Sequence, residues 1–234
     1  MALRRFFPAF FFRFALPTLF AFTAGCGEEE KNPWNGTTYL LDIEAEDWSE
    51  PRGIGSEIDD FVPNFLLRVD GDAPDTFDMT IATADIAGEQ DPCNPTSVFG
   101  ATASPPAMTL GPTQYSLFIK HIDEPVAVEG TIYDLTIKDV LPDGNTPSSV
   151  GEFSATMDFR ELYPLFRLII DPTADKVCTL LEDSYSSACS PCPNDGEPYC
   201  LTVKAIGLGA TPWSGAIEPV DAVGPSCFPT PPAP

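Results

Sequence analysis

Between residues 38 and 208 apolar and polar side chains alternate in short runs, the period-two pattern of half-buried β-strands. Phe153, Ala155, Met157 and Phe159 alternate with Ser154, Thr156, Asp158 and Arg160, placing one face in a core and the other in water. Tyr115, Leu117 and Ile119 alternate with Ser116, Phe118 and Lys120. Further strands are predicted over Thr38 to Ile43, Phe65 to Val69, Phe77 to Ala84, Glu129 to Val140 and Leu201 to Leu208. Residues 90–112 read as loop, because Pro92, Pro95, Pro105, Pro106 and Pro112 interrupt them.

Helical spacing is confined to short pieces. Ser56-Glu57-Ile58-Asp59 resembles a capped helix start that Pro63 ends. Val177, Cys178, Leu180 and Leu181 have helical spacing, with Asp175 placed to open the helix. Leu162 to Ile170 is apolar and broken at Pro164. The expected architecture is mainly β: an antiparallel sandwich or barrel-like domain with short helices, spanning 38–224.

Internal similarity suggests a duplicated unit. Tyr115-Ser-Leu117-Phe-Ile119-Lys120, Tyr133-Asp-Leu135-Thr-Ile137-Lys138 and Tyr199-Cys-Leu201-Thr-Val203-Lys204 share one form. Phe61 to Asp70 and Leu162 to Asp171 form a second pair, each read as helix, proline, strand. Two similar β halves, about 38–150 and 151–224, would account for both. The competing account is that amphipathic strands resemble one another, since the same β-branched and aromatic residues favour them all.

The first 25 residues do not belong to this domain. Arg4 and Arg5 precede an apolar run from Phe6 to Phe22, interrupted by Pro8, Arg13 and Pro17. That run is too short and broken for a spanning helix, which needs about 20 apolar residues. A charged start, an apolar middle and small residues at the end are the marks of a secretory signal. Thr23-Ala24-Gly25-Cys26 closes it and resembles the lipobox of bacterial lipoprotein signals. The resemblance implies cleavage before Cys26, lipid on its thiol and acylation of the new amino terminus. Thr23 departs from the aliphatic residue usual at that position. It further implies a lipid-anchored protein of the outer membrane or cell surface, since Gly27 carries no inner-membrane retention signal. Without lipid the same chain would be periplasmic or secreted. Residues 26–37 then read as an acidic tether and linker, and 225–234 as a proline-rich tail. Beyond the leader, the chain resembles cysteine-rich envelope lipoproteins of large-genome Gram-negative bacteria, a likeness that carries no activity with it.

Charge and cysteine count fit that address. The chain has 12 Lys and Arg against 35 Asp and Glu, a formal charge of −23. Residues 1–25 hold three arginines and no acid, so their removal leaves −26. Such a field excludes nucleic acid as a partner and repels anionic headgroups. The membrane is instead expected to be met through lipid on Cys26. Besides Cys26 there are Cys93, Cys178, Cys189, Cys192, Cys200 and Cys227, an even set that suits disulfides outside the cytoplasm. The sequence does not choose their pairing.

Candidate chemistry is sparse. His121 is the sole histidine, which excludes a multi-imidazole metal site and leaves one residue for any Ser-His-Asp triad. Gly53-Ile-Gly55-Ser56 is not a nucleophile elbow. Cys189-Ser190-Pro191-Cys192 has the CxxC form of a thiol oxidoreductase but lies in a proline-rich loop, where structural disulfides are expected. Asp70, Asp72 and Asp75, and Asp143-Gly144-Asn145, offer oxygens to calcium but match no known calcium loop and serve equally as turns. Asn35-Gly36-Thr37 reads as a turn rather than a glycosylation site. Trp34, Trp48 and Trp213 read as core closures, or more sharply as a carbohydrate platform. No catalytic, cofactor-binding or metal residue is singled out. The reading is a non-enzymatic binding or structural module; the alternatives are a hydrolase using a carboxylate pair and a calcium-dependent adhesive or lipid-carrying module.

Overall fold

The alternation closes on itself. In the computed structural model, residues 31–43, 47–55, 62–104, 107–119, 126–141, 148–169, 173, 176–224 and 227 are described. Cys26, His121, Ser56 to Asp59, Asp143 to Asn145 and most of the 225–234 tail lie outside them. The strands are β1 (Thr38–Asp42), β2 (Asp47–Glu50), β3 (Asn64–Asp70), β4 (Thr76–Ala84), β5 (Ser97–Ser104), β6 (Ala107–Leu110), β7 (Thr113–Ile119), β8 (Val126–Lys138), β9 (Ser148–Asp158) and β10 (Cys200–Trp213). All neighbours are antiparallel, in the order β1-β3-β4-β5-β6-β8-β9-β10. β1 then pairs with β10, Thr38 opposite Trp213 and Asp42 opposite Gly209, so eight strands form a closed antiparallel barrel.

The two remaining strands are continuations. β2 lies on the same edge of β10 as β1, and β7 on the same edge of β8 as β6. Leu110 faces Leu135 and Thr113 faces Ile132, so the register runs unbroken past Gly111-Pro112. Gly111 is required there. Its φ is 114°, and a Cβ would stand 2.9 Å from the Tyr133 carbonyl oxygen.

The expected strands form where one face meets the core and the other water. β8 shows this along its length, with Val126, Val128, Leu135 and Ile137 buried and Ala127, Glu129 and Asp134 exposed. β3 and the end of β4 break the alternation: Leu66 and Leu67 are both buried, as are Ala82, Thr83 and Ala84. Both faces are covered there. Leu67 points into the barrel core, while Leu66, Ala82 and Ala84 pack outside against Trp213 and Ile217 of the C-terminal segment.

Three expectations are corrected. β5 and β6 occupy the stretch read as loop; the prolines at 95 and 112 flank these strands, and 105–106 fall between them. Leu162 to Ile170 is not a proline-strand unit: Tyr163–Ile169 is helix α1. Pro164 stands in its first turn, where a missing N–H costs nothing. The matching segment Phe65 to Asp70 is strand β3, so that second internal likeness does not extend to structure. The boundary near 150 falls inside β9, with β1–β8 before it and both helices and β10 after it.

Helix α2 (Val177–Tyr185) buries Val177 and Leu181 on one face. Lys176, with no side-chain cap, stands at its N-cap, and Asp175 is not among the described residues. The six cysteines pair as Cys93–Cys227, Cys178–Cys189 and Cys192–Cys200. Two of these bridges staple the long β9–β10 connection. The third ties the C-terminal segment to the β4–β5 loop.

Candidate functional site: the barrel lumen

The two ends of the barrel differ. One carries the β3–β4, β5–β6 and β8–β9 connections. It is sealed by Trp34, whose ring meets Phe77 edge to face at 6.2 Å. Residues 32–37, the end of the expected linker, are built into this seal. Asn32 donates to the Gly71 carbonyl (3.1 Å), Asn35 donates to Asp72 (2.8 Å), and the Gly36 N–H reaches the Val69 carbonyl (2.8 Å). Beneath Trp34 the lumen is filled by buried Val69, Met79, Met108 and Leu110.

The other end carries the β4–β5, β7–β8 and β9–β10 connections, including both helices. Here the lumen is hollow. A cavity of about 250 Å³ lies among Phe65, Ile81, Phe99, Ile132, Met157 and Phe166, with Ala155 and Val203 at its floor. Eight strands enclose just enough room to be filled by side chains or to hold one small ligand. This barrel does both, at opposite ends.

Local sequence features shape the cavity. β7 and β9 turn their alternate apolar residues inward, as expected. A bulge in β8 between Ile132 and Asp134 resets its alternation, so Ile132 joins Leu135 on the inner face. From α1, Leu162, Leu165 and Phe166 lie across the end, and the Phe166 ring sits 6.0 Å from that of Phe159. Asn94 fixes the rim. Its side chain donates to the Phe118 carbonyl (3.1 Å) and accepts the Phe118 N–H (2.6 Å), in the manner of a neighbouring strand. The Cys93–Cys227 bridge and Phe118 pack together beside it.

Among the described residues the lining holds no Asp, Glu, Lys, Arg or His. Its polar side chains are hydroxyls and the Trp48 indole, and two hydroxyls stand out. Thr83 is 3 % exposed, and its Oγ1 has no hydrogen-bond partner among the described residues. The Tyr115 Oη is likewise buried and unpaired. Tyr115 lies across Gly130, its partner on β8, where a Cβ would stand 2.6 Å from the Oη and 2.8 Å from Glu161 Oε2. Glu161 Oε2 accepts the Thr131 N–H (2.6 Å), satisfying an edge that β9 has left. Burial, then the negative charges of Glu161 and Asp158, hold the Tyr115 hydroxyl well above its ordinary pKa.

No protein-family model, curated protein or solved structure matches the chain.

The other expected sites take structural roles. Cys189 and Cys192 belong to different disulfides, so the CxxC is not a redox pair. Asp158, Cys192 and Cys200 place potential ligand atoms within 4.8 Å, but the two sulfurs are bonded to each other. Asp158 is buried and pairs with Arg160, which also reaches Asp195 (2.7 Å) and stacks over Tyr199 at 4.6 Å. The hydrogen bond from Arg160 holds the Asp195 carboxyl below its ordinary pKa. Asp70 pairs with Arg68 (2.9 Å) and Asp72 with Asn35, so neither is reserved for calcium. The three tryptophans form no platform: Trp34 plugs the sealed end, Trp48 packs on Phe153 at 5.9 Å, and Trp213 packs outside the barrel. A second hollow of about 730 Å³, bordered by Ser49, Glu50, Arg52 and Tyr185, is polar and opens to solvent.

Sequence reasoning placed Tyr115 in a strand but gave it no further role, and passed over Thr83. The one available signal for Tyr115 was Gly130 in a strand, since such a glycine marks close approach by another group.

Proposed function

We propose that this chain is a non-enzymatic, exported binding protein that holds a small apolar ligand in the open half of its barrel. The observation that carries the reading is the apolar cavity of about 250 Å³ beside a half-lumen occupied by buried Val69, Met79, Met108 and Leu110. A carboxylate-pair hydrolase gains no support, because no acid is among the described residues that line the cavity. The outward face is polar, with Glu129, Asp134, Glu152 and Lys204 turned outward; that pattern suits a barrel in water rather than one facing lipid. Three disulfides suit an oxidising compartment outside the cytoplasm. Lipid on Cys26 and residence at the outer membrane complete the proposal, supported by the leader sequence.

The ligand reading is tested with N-phenyl-1-naphthylamine, an uncharged fluorescent probe, on the mature chain. Saturable fluorescence gain is expected from the parent protein. Ala155→Phe, which fills the cavity floor, abolishes the gain while the melting temperature holds. Equal gain in both proteins would sink the reading. For the anchor, mass spectrometry compares the parent with Cys26→Ser; unchanged lipid mass rules it out.

A further inference from the structure

We infer that the ligand is an amphiphile with an uncharged polar end, and that a buried, unpaired hydroxyl of the lining, that of Thr83 or of Tyr115, hydrogen-bonds that end. The inference rests on the cavity being a ligand site and adds the chemistry of the head. Two hydroxyls in one apolar lining are each buried without a partner. Buried polar groups in folded proteins are otherwise almost always paired. Each hydroxyl both donates and accepts. Either suits an alcohol, ketone or amide.

The sign of the local field excludes charged heads. Among the described residues no Lys or Arg lines the cavity to meet a carboxylate. Glu161 crowds the point beside Gly130 that Tyr115 also crowds, so an anion at Tyr115 would face a like charge. A cationic head fares no better. The carboxylate nearest Tyr115, Glu161, is not part of the described lining and is engaged by the Thr131 N–H. An ammonium in the lining would be desolvated without a carboxylate in direct contact.

The experiment displaces N-phenyl-1-naphthylamine from the mature chain at pH 7.5 with 1-decanol, decanoate or decylamine, three ligands of one chain length. The expected order puts 1-decanol at least tenfold tighter than either ion. Thr83→Val or Tyr115→Phe weakens 1-decanol several-fold more than it weakens the probe, and Thr83→Ser retains parental affinity. If decanoate or decylamine binds as tightly as decanol, or if both variants bind decanol like the parent, the head-group inference falls and the apolar cavity still stands. If the probe itself does not bind the parent, the ligand site falls, and this inference with it.

Discussion

Single side chains decide how this barrel is divided. Trp34 seals one end by resting on Phe77, and Gly130 leaves room for Tyr115 at the other. Gly111 joins β6 to β7 with a backbone that only glycine adopts readily. Gly111→Ala is expected to cost about 1–3 kcal/mol through the positive φ and the crowded Tyr133 carbonyl. Urea denaturation measures it; an unchanged midpoint would show that the local chain relaxes. Tyr115 yields a pH prediction. Its hydroxyl ionises above the ordinary 10.0, so the folded state keeps a proton that the unfolded chain releases near pH 10. Its contribution is intact below that pH and declines as pH rises further. Urea midpoints between pH 8 and 11 should fall on the alkaline side, and less steeply in Tyr115→Phe. The two unpaired hydroxyls were not legible from sequence. A Thr or Tyr in a strand looks the same whether its oxygen meets water, a partner or a cavity.

Elements were legible wherever one face meets water. β4, β7, β8, β9 and β10 announce themselves by alternation. β5 does not, because Gly100, Ala101 and Ala103 give it little apolar contrast and prolines surround it. α1 resembled a strand because Leu165, Phe166, Leu168 and Ile169 form a nearly continuous apolar run, and only packing across the barrel end selects the helix. Residues 213–224 were assigned to the domain without an element of their own; this segment straps the outside of β3 and β4. Gln90 and Thr96 hold it through Glu218 and Val220, and Cys93–Cys227 locks it. The chain-entropy contribution of a disulfide grows with loop length. The Cys93–Cys227 loop, with a separation of 134, is worth about 5 kcal/mol on that basis. The loops of separation 11 and 8 are worth about 2.5 kcal/mol each. Replacing Cys93 and Cys227 by Ser should therefore lower the melting temperature more than replacing either other pair. A smaller effect than Cys192→Ser with Cys200→Ser would show that the strap is not held by its bridge.

For the whole molecule, closure is what local patterns cannot express. The β1–β10 pairing joins residues about 170 positions apart, and neither strand signals its partner. The cavity is likewise a property of enclosed volume, set by the bulge in β8, the helix across the end and the rim that Asn94 organises. Net charge was plain from composition and carries its own expectation. At −23 the folded chain repels itself, and raising ionic strength from about 0.01 to 0.15 M shortens the screening length from about 30 to 8 Å. The melting temperature should rise over that range; a fall would mean that surface pairs such as Lys204–Glu50 outweigh the repulsion. The sealed end has one more consequence. Because residues 32–37 are stitched into it, the described chain enters the barrel at the pole opposite the cavity. A molecule moored there by its amino terminus would hold its opening up like a cup on a stem. Cargo would then be exchanged with the far side of the compartment rather than with the bilayer underneath.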